Sequence, residues 1–267
     1  MNAHPSNNYS TIELIKYTLH LADSNLILAQ RNGEWCAHAP ILEQDIAITN
    51  ITLDLIGQSR NFYQYAAQLI NQSTDRPNNE ATEDSLAYLR TERAFKNLLI
   101  TELPAGDWAQ TVLRQFFYSY YQLGLYEQLQ NSIDAQLAAI AVKSIKETKY
   151  HLKWSSDWVL RLGDGTDESR QRMLKALETL WQYTGEMFTP VEYEINMGID
   201  FVQLKKGWEQ HVFAVMQTAT LLQAGDITQL NNVYMQAGGK TGVHTEQMGF
   251  ILADLQYLQR TYPGASW

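Results

Sequence analysis

The prolines constrain this chain more than any other residue type. All six (Pro5, Pro40, Pro77, Pro104, Pro190 and Pro263) fall where the apolar periodicity breaks. A proline inside a helix removes a backbone hydrogen bond and costs about 3 kcal/mol, so this placement marks joints between helices. Between the joints, apolar residues recur at helical spacing, and no segment of the sequence shows sustained strand alternation bounded by hairpin turns. The expected fold class is all-α: long helices joined by short loops in an antiparallel bundle, with additional C-terminal helices packed on it.

The first helix should begin at Ser10, where Ser10 and Glu13 form an S-x-x-E capping box, and run to about Arg31, with Gly33 ending it. Pro40 suits the first turn of a long second helix ending near Ile70. The polar stretch NQSTDRPNNEATED follows and reads as mobile; residues 1–9 and about 71–83 are the expected flexible segments. Further helices are expected over about 84–103, from an Asp107 N-cap through TVLRQFFYSYYQLGLYEQL, and over about 133–162, 167–188, 202–223, 227–236 and 241–261. TPVEYEINMGID reads as an extended connector. No internal repeat or linker divides the chain, so one domain over 1–267 is the simpler organisation.

The 267 residues suffice to bury a sizeable core, so stability does not call for a metal. A net charge of -9 without any basic run argues against nucleic acid or an anionic membrane as partner. The single cysteine, Cys36, excludes an intrachain disulfide and a Cys-rich zinc site and fits a reducing compartment, the cytoplasm by default. MNAHPSNNYS lacks the basic and apolar regions of a signal peptide, and no apolar run approaches the roughly 20 residues of a membrane helix. A soluble protein is expected.

The stretch KETKYHLKWSSDW bears most directly on chemistry. Carboxylate-bridged di-metal bundles use acid-x-x-His pairs, because side chains at i and i+3 project inward together. The residues three before His20, His38, His151, His211 and His244 are Tyr17, Trp35, Thr148, Trp208 and Thr241, so no histidine of a predicted helix has the acid at that offset. Glu34 and His38 are four apart across the Gly33 to Pro40 turn. Glu147 and His151, also four apart, can share a helical face, where such a pair is commonly a local ion pair or hydrogen bond. On the second helix Asn50, Asp54 and Gln58 form a polar line among Ile51, Leu53, Leu55 and Ile56. Asp54 is either buried, and then needs a partner, or part of a solvated stripe. The aromatic clusters at 116–126 and 154–158 read as core or partner interface, and MQAGGKTGVHTEQMG lacks the first glycine and the preceding strand of a phosphate loop.

Four separated blocks, LADSNLILAQRNGEWCAHAP, LDLIGQSRNFYQYAA, IKETKYHLKWSSDWVLRLGDGTD and GKTGVHTEQMGFILADLQYLQRTYPGASW, resemble in order the C-subunit family of the multicomponent phenylacetyl-CoA epoxidase, also called phenylacetate-CoA oxygenase. The resemblance runs from about Ile12 to Trp267. It implies a ferritin-like bundle and a cytoplasmic, non-catalytic role in bacterial phenylacetate catabolism. The implied partner, in a hetero-oligomer, is a homologous di-iron catalytic subunit. The complex would carry out O2-dependent 1,2-epoxidation of the ring of phenylacetyl-CoA, with electrons from a separate reductase subunit.

The same resemblance implies a degenerate di-iron site. Laid on the catalytic subunit's pattern from Trp35 and Pro40, Leu55 replaces a ligand Glu and Gln58 a ligand His. In the later helix Glu147 matches a non-ligand Glu, Thr148 replaces the ligand Glu, and His151 keeps the histidine. The lone carboxylates of two other helices fall at Asn25 and near Ser119. The resemblance thus implies no metal, cofactor-binding or catalytic residue in this chain. A replacement polar cluster of Asp54, Glu147 and His151, joined by a lysine such as Lys16 or Lys149, is expected in their place. Two other readings compete: a divergent di-metal oxygenase active in its own right, using Asp54, Glu147, His151 and other carboxylates, and a small-molecule binding module with an aromatic pocket.

Overall fold

The computed structural model describes residues 9–73, 80–223, 230, 232–263 and 265, and among them it is all-α, with no strand. Four long helices form the bundle: α1 (Thr11–Gly33), α2 (Leu42–Ser73), α5 (Trp108–Leu129) and α6 (Ala135–Gly163). Short helices α3 (Glu83–Tyr88) and α4 (Leu99–Glu102) lie between α2 and α5. Beyond the bundle come α7 (Asp167–Trp181), α8 (Phe201–Thr218), α9 (Glu246–Leu255) and α10 (Tyr257–Thr261).

Local chemistry fixes most of the starts. Ser10 and Glu13 form the capping box expected for α1, while Asp107, Asp134 and Asp200 accept the N–H three residues on at α5, α6 and α8. α1 is buried on nearly every side, packs along α2 and carries α4 on another flank; α5 packs along α6, and α2 meets α6 to close the ring. α7 and α8 cover the outside of α5 and α6. The core includes Ile27, Leu28, Ile51, Leu55, Phe62, Val112, Phe116 and Phe117, each fully inaccessible. Burying such a side chain contributes roughly 1.5–3 kcal/mol.

Four expected helices are shorter or broken. The helix expected over 84–103 is interrupted after Tyr88, with a single 3-10 turn at Glu92–Ala94 before α4. Its backbone donors are met from elsewhere: Asp23 accepts the Lys96 N–H at 2.8 Å, Ser24 Oγ that of Leu98 at 3.2 Å, and Glu186 that of Leu99 at 2.7 Å. Arg90, just past the break, also folds onto Asp23. The helix expected over 167–188 stops at Trp181 and resumes as a 3-10 turn at Gly185–Phe188, where a Cβ on Gly185 would stand 2.6 Å from the Met235 side chain. The helix expected over 241–261 starts only at Glu246, because Gly238 and Gly242 take positive φ in a turn and Thr245 becomes the N-cap. α8 ends at Thr218, short of the expected 223.

Of the helix expected over 227–236, residues 227–229 and 231 lie outside the described residues, and 232–236 are not helical. Of the two segments expected to be flexible, 1–8 and 74–79 lie outside the described residues. At the edges of the second, α2 continues to Ser73, and Asn71 is bonded twice to the backbone of Ala81, at 2.8 and 2.9 Å.

Candidate functional site

The bundle interior holds a polar layer amid apolar packing. On α5, Tyr118, Gln122 and Tyr126 recur every four residues and so share one inward face. Asn25 of α1 meets this row: its Oδ1 accepts from Tyr118 Oη at 2.7 Å and Gln122 Nε2 at 2.6 Å, and its Nδ2 donates to Tyr126 Oη at 3.1 Å. Gln58 of α2 meets the row from the other side, its Oε1 lying 3.0 Å from Gln122 Nε2 and 3.2 Å from Tyr126 Oη. Gln58 Nε2 then donates to Glu147 Oε2 of α6 at 2.9 Å. One helical turn along the same seam, His151 Nε2 stands 2.9 Å from Asp54 Oδ2. All four bundle helices thus contribute.

Burial pushes the phenols of Tyr118 and Tyr126 above the usual tyrosine range, so both act as neutral hydrogen-bonding groups. Asn25, Gln58, Gln122 and His151 are buried, whereas Asp54 is 34% exposed at its side chain, so the two carboxylates sit toward the α2–α6 surface. The polar line on α2 is therefore graded: Asn50 is exposed, Asp54 half-buried and Gln58 buried. Each alternative for Asp54 captures part of it, since it has its partner at the solvent edge.

The structure links Asn25, Gln58 and Glu147 through Gln122 and pairs Asp54 with His151 as a separate contact; no hydrogen bond or ion pair among the described residues joins Glu147 to Asp54 or His151. The structure separates the remaining residues singled out from the sequence. Leu55 is buried among apolar side chains, and the Thr148 hydroxyl donates to its own helix at the Ser144 carbonyl, 3.0 Å away. Ser119 belongs to a second buried chain, in which Asn32 Nδ2 donates to Gln115 Oε1 at 2.7 Å and Gln115 Nε2 donates to Ser119 Oγ at 2.9 Å. Lys16 and Lys149 are exposed and make no hydrogen bond or ion pair with the cluster among the described residues. Also among the described residues, no group of three or more His, Cys, Asp or Glu is placed to hold a metal ion, and no helix is long and apolar enough to cross a membrane.

Gln122, Tyr118 and Tyr126 went unrecognised as site residues in the sequence. Their signal was present, a polar atom every fourth residue within an aromatic run, but the run reads first as apolar core.

The sequence model of the phenylacetic acid catabolic protein family matches residues 1–267. The chain is also 46% identical over 260 residues to the C subunit of the 1,2-phenylacetyl-CoA epoxidase of Escherichia coli (strain K12). That alignment covers 96% of this chain and 99% of the relative.

Proposed function

This chain belongs to the phenylacetic acid catabolic protein family, a ferritin-like family, and from that premise we propose that it is a structural, non-catalytic subunit of a phenylacetyl-CoA epoxidase assembly. In this reading it pairs in the cytoplasm with a homologous di-iron subunit, which epoxidises the ring with electrons from a reductase subunit. The chain's contribution is to support that partner.

The observation that carries the reading is the chemistry at the positions where the resemblance puts iron ligands. Asn25, Leu55, Gln58, Ser119 and Thr148 bear no ionisable group, and His151 alone keeps a ligand type. Two hard metal ions need several anionic oxygens, so a di-iron centre does not fit this set. The two amides there, Asn25 and Gln58, are joined through Gln122, while the Ser119 and Thr148 hydroxyls bond to Gln115 and to the Ser144 carbonyl. The Asn25 and Gln58 side chains thus find protein partners without an ion, while Gln122 Oε1 and His151 Nδ1 are buried with no partner among the described residues.

Co-expression with the catalytic subunit, followed by size exclusion and iron quantification of each chain, tests the proposal. A mixed oligomer with iron in the partner alone is expected, together with loss of epoxidation when this chain is omitted. Stoichiometric iron or manganese in this chain, purified without chelators, would instead favour a divergent di-metal oxygenase.

A further inference from the structure

The outer face of α2 is unusually apolar for a surface. Leu42, Ile46 and Leu53 are 72%, 54% and 60% exposed, and their spacing of four and seven residues places them on one line along the helix. Exposed Gly57 continues the line. A glycine in mid-helix costs about 1 kcal/mol relative to alanine, so its presence asks for a reason. Gly163 has an internal one, since a Cβ there would stand 2.3 Å from the Ala219 carbonyl oxygen. At Gly57 a Cβ would meet nothing within 4 Å. The space left by Gly57 therefore opens outward, and nothing among the described residues uses it.

Beside this ridge runs the solvent face of α6. The Asp54–His151 and Gln58–Glu147 bonds fix the two helices antiparallel and bring Leu53 and Gly57 roughly level with Lys153 and Tyr150. Lys143, Lys146, Tyr150 and Lys153 all point outward. Lys153 pairs with Asp157, while Lys143 and Lys146 form no ion pair among the described residues. Glu147, the only acid from 143 to 153, is turned toward Gln58. In a chain of net charge -9 this is a locally basic edge.

We propose that the α2–α6 outer face is where the catalytic subunit docks. The partner presents an apolar helix face that packs on Leu42, Ile46 and Leu53 and approaches the backbone at Gly57, with carboxylates opposite Lys143 and Lys146. The inference rests on the reading of this chain as a subunit and deepens it by naming the contact surface. Three independent features converge: an apolar line that water does not favour, a helical glycine whose only use is close approach from outside, and positive charge without an internal counterpart. A second copy meeting this face across a two-fold axis would bring the same uncompensated lysines to the contact, which argues for a partner of opposite charge.

The experiment measures binding of the full-length chain to the co-expressed catalytic subunit for wild type, Gly57→Ala, Gly57→Gln and Lys143→Glu/Lys146→Glu, with unfolding midpoints of each variant alone. Gly57→Gln should weaken association at least tenfold without lowering the midpoint. Gly57→Ala should raise the midpoint and still weaken association. The double lysine variant should slow association, most at low salt. Wild-type affinity in all three variants overturns this face while leaving the subunit reading intact. Failure of the wild type itself to bind the catalytic subunit overturns both. Self-association abolished by Gly57→Gln, with partner binding unaffected, overturns the choice of occupant.

Discussion

Gln122 does more for the buried polar layer than any residue at an expected ligand position. Its Nε2 lies within 3.0 Å of acceptors on Asn25, Gln58 and Tyr126, so one side chain ties α1, α2 and α5 together. Leucine at 122 keeps the volume and removes the donor. Each acceptor keeps another donor: Asn25 Oδ1 that of Tyr118, Gln58 Oε1 that of Tyr126 and Tyr126 Oη that of Asn25. Gln122→Leu thus removes bonds without stranding a group and should lower the unfolding free energy in urea by about 1–3 kcal/mol, at about 0.5–1.5 kcal/mol for each bond lost. Tyr118→Phe should cost less, because Asn25 Oδ1 would keep Gln122. An unchanged urea midpoint for Gln122→Leu would mean that the layer is not what holds these helices in register. Asp54, Glu147 and His151 were legible in the sequence because charged or titratable groups on an apolar helix stand out. Gln122 was not, because its polar repeat with Tyr118 and Tyr126 lies inside an aromatic run that reads first as apolar core.

The long helices were legible as elements because each carries its own start signal. Ser10, Asp107 and Asp134 cap α1, α5 and α6 through bonds made within a few residues, which sequence spacing shows directly. The segment 84–103 was not legible. Its helical pattern is overridden by Asp23, Ser24 and Glu186, residues distant in sequence that take its backbone N–H groups. Glycines separate the same two kinds of cause. Gly163→Ala should destabilise by about 1–3 kcal/mol, because the new methyl runs into the Ala219 backbone as well as its side chain. Gly57→Ala should instead stabilise the isolated chain by about 0.5–1 kcal/mol, since it reduces unfolded-chain entropy and meets no neighbour. Opposite signs in thermal unfolding are the expected result, and equal signs would show that the space around one of these glycines is not as described.

At the scale of the whole molecule, buried charges hold the C-terminal third together and tie it to α4. Lys240 Nζ pairs with Glu194 Oε2 at 2.9 Å, with both side chains 1% exposed, and Glu186 accepts backbone N–H groups from Leu99 and Gly238 at 2.7 and 2.8 Å. Removing one partner of such a pair leaves a bare charge and costs about 3–5 kcal/mol. Lys240→Met should therefore destabilise strongly, and Lys240→Met/Glu194→Leu should recover part of the loss in a double-mutant cycle. The neighbouring clasp is sensitive to pH. Glu102 Oε1 accepts the Thr245 N–H at 3.0 Å, while its Oε2 lies 3.3 Å from His244 Nδ1; His244 Nε2 stands 3.1 Å from the Phe95 carbonyl oxygen. Burial disfavours the imidazolium, but the Glu102 carboxylate, helped by the Phe95 carbonyl, outweighs it, and the His244 pKa is raised above 6.5. Because the folded pKa exceeds the unfolded one, the native state holds the proton more tightly. The resulting stability is fully present below pH 6.5 and is lost as pH rises through the elevated folded value. Replacing His244 with glutamine removes the titration but keeps a donor. The gap in unfolding free energy between wild type and His244→Gln should then be widest in mild acid and close by about 1.4 kcal/mol for each pKa unit of elevation as the pH is raised. Hydrogen-exchange protection over α9, corrected for the intrinsic rise of amide exchange with pH, should fall across the same interval in the wild type and not in the variant, since α9 starts from Thr245, the residue whose N–H Glu102 holds.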